Sequence, residues 1–561
     1  MDQAMAISTA AVRSARHSGS GWLTVASVIA FVVVLPIGGL LLEAAKGSAD
    51  LWGHLLSTTL PVALVDTIIL LAGVGLVTAA LGTTTAWLVT AYEFPGRRML
   101  EWALLLPLAV PTYIIAYTYL DILHPIGSVQ GAIRWLLGYD SPRQFRLPDT
   151  RSMIGCILLL GFVLYPYVYI PTRAMFLTQC GNLIDAARTL GISRRAVFWR
   201  VALPLARPAV AVGISLALME TLNDIGAAEF LGVRTLTVSV YTTWITRSDL
   251  PGAAQLALAL LLIVVALVAL ERWARRKQHY ATDARRSRGL TVQRVSRPKG
   301  MLLFLAGLMP VLLGFGAPAF YLTAEAWKRY QFAGLSSRII DEAFNTIILA
   351  ALATIATIVF GLVVAYATRV RPGAKSAMLL RVSSMGYAAP GTVIAIGVLI
   401  VLDGFDGFIN RTATAWFGFS TGLIFIGSGI AVVYALTVRF LAISAGGIEA
   451  GLLRIPGSLD HAASSLGRSQ TATFLHVHLP LSKAAISAAA LLVFVDCVKE
   501  LPATLLLRPL NIETFATHLY GEAARGTYEE ASIAALAIVA ISILPVILLS
   551  RVGRARSSIP R

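Results

Sequence analysis

Charge is scarce in this chain. Only 13% of its 561 residues are Asp, Glu, Lys or Arg, about half the share of an ordinary water-soluble domain. Together with 57% hydrophobic residues and a mean hydropathy of +0.76, that excludes a soluble fold and leaves lipid as the solvent. Cysteine is scarcer still. Cys156, Cys180 and Cys497 make no CxxC and no even set, which excludes a disulfide framework or a thiolate metal site and leaves them as small buried hydrophobes. A phosphate-binding GxxxxGK[ST] is missing too. Its nearest fragment, Gly373-Ala374-Lys375-Ser376, lacks the first Gly and the Gly before Lys. HExxH and paired Cys with His are also absent. The chain is therefore expected to be no enzyme, with no catalytic residue, no cofactor of its own and no stably bound metal.

What is present is hydrophobic length. Ten stretches run free of Asp, Glu, Lys and Arg: Trp22–Leu42, Thr67–Tyr92, Trp102–Leu120, Ser152–Thr172, Leu250–Leu270, Gly300–Ala324, Ala343–Thr368, Val382–Leu402, Thr412–Val438 and Ala531–Ser550. A helix crossing a roughly 30 Å hydrocarbon core needs about 20 such residues. Two shorter runs, Pro208–Met219 and Ala484–Val495, are interrupted by an acid and then resume. The expectation is an all-α integral membrane protein of about twelve spans. The net charge of +17 reflects Lys and Arg gathered in alternate loops, which predicts both termini on the cytoplasmic side of a bacterial inner membrane. Basic residues that track loops rather than a groove argue against nucleic acid. Arg13 and Arg16 precede a first apolar run too long for a cleaved signal, so it reads as an uncleaved helix.

The chain also repeats itself. Asp66-Thr67-Ile68-Ile69-Leu70 returns as Asn345-Thr346-Ile347-Ile348-Leu349, 279 residues on. At a spacing of 276, Ala186, Ala187, Leu190 and Gly191 return as Ala462, Ala463, Leu466 and Gly467, and Leu203-Pro204-Leu205 as Leu479-Pro480-Leu481. Six spans per half give both copies one topology, as parallel repeats. The reading is a first repeat over 1–270, a basic cytoplasmic linker over 271–299 with ten Lys and Arg, and a second repeat over 300–561.

Each repeat carries one unusual loop, 183–208 and 459–484. The first holds Asp185, Ala186, Ala187, Gly191, Leu203 and Pro204; the second holds His461, Ala462, Ala463, Gly467, Leu479 and Pro480. The pattern describes a short helix, a Gly where the chain turns cheaply, a second short helix, and a Pro expected to end it before the next span. Small Ala residues beside the turn let another protein's surface approach. This spacing resembles the EAA loop of ABC-importer permeases. The resemblance implies that both loops dock on a separate cytoplasmic ABC ATPase dimer, which consumes the ATP. Asp185 is a conservative stand-in for the family's Glu, whereas His461 departs from it.

Acids also sit within spans. Glu220 lies 12 residues past Pro208, about 18 Å along a helix, with Asp224 one turn further. Asp496 and Glu500 repeat the pair, and Lys499 stands beside them. Ionised groups at membrane depth normally face water or each other. These five residues are thus candidates for a translocation path or gate, while capping of helix ends and pairing with Lys499 is the competing role. The run Lys499-Glu500-Leu501-Pro502-Ala503-Thr504-Leu505 resembles the fused ferric-iron permeases of bacterial importers. That resemblance implies ferric iron delivered by a periplasmic substrate-binding protein. Relatives of the same architecture move thiamine, aminoethylphosphonate or other small solutes, and a transporter driven by an ion gradient is the alternative from another class. The stretch Tyr165-Pro166-Tyr167-Val168-Tyr169 reads as a packing or interfacial feature rather than a ligand set.

Overall fold

The computed structural model describes residues 2–47, 49–178, 187, 189–275 and 292–555. Apart from turns and loops these are helical, with one two-residue strand pair, Tyr92–Glu93 beside Gln293–Arg294. Among the described residues, ten helices are long and apolar enough to cross a membrane. Two helix pairs meet the same test while bent: Arg97–Ala109 with Thr112–Ile122 at 92°, and Gln470–Leu481 with Lys483–Lys499 at 73°. With each pair taken as one span the total is twelve. The protein is an all-α multi-pass membrane protein.

Three runs that look continuous in the sequence are broken. Thr412–Val438 is split by the non-helical stretch 418–429 between Gly391–Phe417 and Ile430–Leu452, and two others break at a proline. Within Trp102–Leu120 the chain makes a 3-10 turn at Leu106–Ala109, then restarts as the helix Thr112–Ile122. Within Val382–Leu402 the helix Ala374–Ser383 ends and a new one, Gly391–Phe417, begins. Proline is the cause in both places. Pro111 (φ −56°, ψ 143°) and Pro390 (φ −56°, ψ 147°) adopt one extended conformation, and the residue before a proline is pushed out of the helical region. The second helix then runs on past Asp403 and Asp406. Asp406 is tolerated at 1% exposure because its carboxylate accepts the backbone N–H groups of Ile424, Phe425 and Ile426 at 3.0–3.1 Å.

By contacts the chain divides into two units. One comprises Met1–Ser48, Ser248–Leu258 and Ile340–Thr514; the other comprises Ala49–Arg247, Ala259–Ile339 and Phe515–Arg561. Each unit joins the central helices of one sequence half to flanking helices of the other. In the first unit the N-terminal helix Asp2–Lys46 lies against Gly391–Phe417: a Cβ on Gly39 would stand 2.9 Å from Val401 Cγ2, and Tyr434 donates a 2.6 Å hydrogen bond to the Val32 carbonyl. In the second unit Leu60–Ala91, Met153–Thr178 and Leu203–Asn223 converge on Val168. A Cβ on Gly82 would lie 2.6 Å from Val168 Cβ, and one on Gly213 would lie 2.5 Å from Val168 Cα. Small residues let these backbones touch, and that contact substitutes for the hydrophobic drive that lipid does not supply. In the first unit, Gly361, 279 residues after Gly82, makes the same approach to Ser444 Cβ at 3.0 Å.

Candidate functional site

The two loops that resemble EAA loops share one backbone device. Gly191 (φ +78°) and Gly467 (φ +69°) both occupy the left-handed region. Ile192 N–H bonds back to the Ala187 carbonyl at 3.2 Å, and Arg468 N–H to that of Ala463 at 3.0 Å. This is the helix-ending turn that favours glycine, because its C″ amide reaches a carbonyl five residues earlier. Ala187 and Ala463 are each 7% exposed, so the helix before the turn packs inward through a methyl group. The side chain at the tip points the other way: Leu190 is 81% and Leu466 80% exposed. Trp199 and Leu475, again 276 apart, are exposed as well. Matched apolar knobs beside a tight turn suit a protein groove. His461 and Ala462 are exposed in the helix Ser458–Ser465, whereas Asp185 and Ala186 lie outside the described residues.

Pro204 does not end the second short helix as the sequence suggests. Arg194–Val197 passes through a π-helical turn, Phe198–Ala202, straight into Leu203–Asn223. The Leu203 amide bonds to Phe198 O, five residues back. The Leu479 amide bonds likewise to Phe474 O. A widened turn just before Leu203-Pro204 and Leu479-Pro480 relieves the clash of each proline ring with the preceding turn. Both turns are gripped by aromatic rings from an earlier helix. Trp87 meets Phe198 at 5.2 Å between centroids, and Tyr366 meets Phe474 at 4.6 Å.

The acids sit at a second matched feature, a break after a spanning helix. Asp224 follows Leu203–Asn223 with φ −74°, ψ 124°; Glu500 follows Lys483–Lys499 with φ −71°, ψ 123°. Asp224 Oδ1 accepts the amides of Ala227 (2.7 Å) and Ala228 (3.3 Å), and the Thr112 hydroxyl donates to Oδ2. Glu500 accepts the amides of Ala503 (2.9 Å) and Thr504 (3.0 Å) and pairs with Arg439 at 2.7 Å. Each acid therefore caps the short helix that follows, Gly226–Phe230 or Pro502–Leu507. Asp496 pairs with Lys499 at 2.8 Å, both partly exposed. Glu220 is half-buried, one turn before Asp224.

Sequence reasoning missed Arg439, which lies just beyond the charge-free run ending at Val438 and is 8% exposed. It also missed why Gly391 is glycine: a Cβ there would stand 2.7 Å from Glu500 Oε1. Gly418–Gly422 has the spacing of a nucleophile elbow, GxSxG, but its Ser420 donates to Asn410 Oδ1 at 2.8 Å in a loop rather than on a strand-to-helix turn. Tyr165 and Tyr169 are buried packing residues, and Cys156 and Cys497 are buried free thiols.

Residues 79–280 match the family described as "Binding-protein-dependent transport system inner membrane component". The chain is 24% identical over 489 residues to "Fe(3+)-transport system permease protein FbpB 2" of Haemophilus influenzae, covering 87% of this chain and 89% of that protein. It is 28% identical over 205 residues to "Sulfate transport system permease protein CysT" of Escherichia coli, covering 36% and 70%. A "Probable molybdenum ABC transporter permease protein" of Haloferax volcanii is 27% identical over 250 residues, covering 44% and 87%.

Proposed function

We propose that this chain, a permease component of the binding-protein-dependent ABC importer kind, carries ferric iron across the bacterial inner membrane. One observation supports the substrate: the likeness to the ferric permease spans both halves of the chain, 87% of its length, whereas the sulfate and molybdenum likenesses span 36% and 44%. An oxyanion such as sulfate or molybdate is the second reading, favoured by those shorter matches. The permease family removes the reason to invoke an ion gradient.

In this proposal both termini and both coupling loops face the cytoplasm. There Leu190 and Trp199, and Leu466 and Leu475, enter grooves on a separate ATPase dimer, which supplies the energy of ATP. A periplasmic substrate-binding protein delivers the ion on the other face. The turns at Gly191 and Gly467 fix the angle at which each loop meets its ATPase. Asp224 and Glu500 each hold the broken-helix joint of their own unit. Glu220 beside the first joint, and the Asp496–Lys499 pair beside the second, offer partly exposed charge to a passing ion. A hard trivalent cation suits carboxylate oxygen, and transit needs weak contacts rather than a deep site.

The test is uptake into proteoliposomes holding the permease, its ATPase and the cognate binding protein. ATP-dependent accumulation of ⁵⁵Fe(III), with no transport of ³⁵S-sulfate or ⁹⁹Mo-molybdate, is the expected result. Oxyanion uptake without iron uptake would overturn the substrate and leave the permease assignment standing.

A further inference from the structure

We propose that Arg369, Asp460 and His478 form a polar clasp, built on the Arg369–Asp460 ion pair, that positions the second coupling loop on the helix Ser337–Val370, and that the matching positions of the first half do not form it. The inference rests on the coupling role of the loops proposed above and adds that the two ATPase contacts are mechanically unequal.

Asp460 is the third residue of the coupling helix Ser458–Ser465, and one carboxylate joins three elements. Oδ2 lies 2.7 Å from Arg369 Nη2, at the end of Ser337–Val370. Oδ1 lies 2.7 Å from His478 Nε2, in the π turn Phe474–His478. Arg369 also donates to the carbonyls of Leu452 (2.5 Å) and Ile455 (3.1 Å), so its guanidinium closes the end of the helix Ile430–Leu452 as well. The His478 residue is 1% exposed, and its ring lies 5.5 Å from that of Tyr366, tilted by 52°. Tyr366 in turn donates to the Gln470 carbonyl at 2.9 Å. The ion pair of the clasp is Arg369 with Asp460, the buried His478 ring closes its other side, and charge-assisted bonds such as that between Arg369 and Asp460 are the strong ones.

The clasp accounts for the departure at His461. Family spacing puts an acid at that position, but here the acid stands one residue earlier. One residue on an α-helix is a rotation of about 100°. The carboxylate accordingly turns toward Arg369 and His478 while staying partly exposed, and His461 faces outward. In the first half the matching positions are Thr90, Ile184 and Ala202, none of them ionisable. Thr90 spends its hydroxyl on its own helix, at Ala86 O. Both loops have an aromatic grip, through Trp87, Phe176 and Phe198 in the first and Trp22, Tyr366 and Phe474 in the second, and the second adds the clasp. Apolar contacts are non-directional and permit sliding, whereas a bridged carboxylate fixes both distance and angle. The next element differs accordingly. After His478 the chain bends 73°, with Ser482 donating to the His478 carbonyl at 2.6 Å, whereas the first half has Ala206 inside an unbroken helix. Motion entering through the second loop thus reaches Ser337–Val370 directly, through a contact that Thr90, Ile184 and Ala202 do not provide in the first half.

The experiment uses the full permease–ATPase complex in proteoliposomes, reading uptake per ATP hydrolysed. Asp460→Asn is expected to assemble with the ATPase and hydrolyse ATP, yet lose about tenfold in uptake per ATP, the loss expected of one charge-assisted bond. Asp460→Glu restores most of it. Spin labels at Ser464→Cys and Met378→Cys, both exposed, give a single distance in the parent that broadens in Asp460→Asn. An unchanged distance and uptake ratio would overturn the clasp. Failure of Asp460→Asn to assemble would also overturn it, making the cluster a folding element. Gly467→Val separates the two levels: if it too leaves the ratio unchanged, the coupling reading falls, and if it alone lowers the ratio, only the clasp does.

Discussion

Gly467→Val isolates the coupling turn from everything around it. The backbone at Gly467 has φ +69°, and no atom lies within 4 Å of where a Cβ would stand. The penalty is therefore purely conformational. Placing a side chain in the left-handed region costs about 1–2 kcal/mol, and more for a β-branched residue, for which it is an outlier. If the turn opens to escape the strain it loses the 3.0 Å bond from Arg468 N–H to the Ala463 carbonyl, roughly another 1 kcal/mol. A shift of 1–2 kcal/mol changes the population of the native turn about 5–30-fold. No packed core is touched, so membrane level and span topology should match the parent. ATP hydrolysis persists while uptake per ATP drops by a similar factor. Asn tolerates the left-handed region better, so Gly467→Asn should fall between Val and the parent. A Gly467→Val complex that assembles and transports at the parental ratio would refute the reasoning.

Three further outcomes follow from the same geometry. Arg439→Val strands the buried Glu500 carboxylate and is expected to cost about 3–5 kcal/mol, read as a lower melting temperature in detergent; an unchanged melt would show that the pair bears no load. Accessibility tags within Glu271–Lys299 and at the C-terminus should label only from the cytoplasm, and tags within Asp121–Thr150 only from outside; the reverse would invert the proposed orientation. Glu220→Gln together with Asp496→Asn, at matched expression, should bind the ATPase normally yet lose uptake of ferric ion, and parental ⁵⁵Fe rates would remove both acids from the path.

Much of this architecture is legible in the sequence because lipid imposes a coarse rule. A charge-free run of about 20 residues has few alternatives to a spanning helix, and Gly, Pro and acids recurring at fixed offsets are hard to place by chance. The turn glycines were readable because only their backbone freedom is at stake. The partners were not. Whether Asp224 or Glu500 faces a path or caps a helix depends on where the chain goes three residues later, and periodicity does not record a break at Ile225 or Leu501. Arg439 stands just past the charge-free run that ends at Val438 and so marks nothing in the sequence, although it lies inside the helix Ile430–Leu452. Pro204 read as a stop because sequence alone does not reveal a π turn before it. The clasp escaped notice because Asp460 sits one residue off the expected acid, and because Arg369 and His478 lie far from it along the chain.

The two joints show that the repeat preserves a geometry rather than a set of residues. Backbone angles at Asp224 and Glu500 agree within 3°, yet the side chains around them are exchanged as a group. In the first half Thr112 supplies a hydroxyl to Asp224, and Val163 fills the position where the second half has Arg439. In the second half the residue matching Thr112 is Gly391, whose missing Cβ makes room for the Arg439 guanidinium and the longer Glu500. Each single exchange is incompatible with its neighbours. A Thr at 391 collides with the ion pair, a Val at 439 leaves a buried charge unpaired, and an Asp at 500 withdraws the carboxylate from the arginine. The stability losses of Gly391→Thr, Arg439→Val and Glu500→Asp should therefore fail to add, because groups in one network couple. The triple exchange reproduces the first half's solution and should melt closer to the parent than Arg439→Val alone. A triple variant less stable than every single one would mean that the joints are held by their surroundings and not by these side chains.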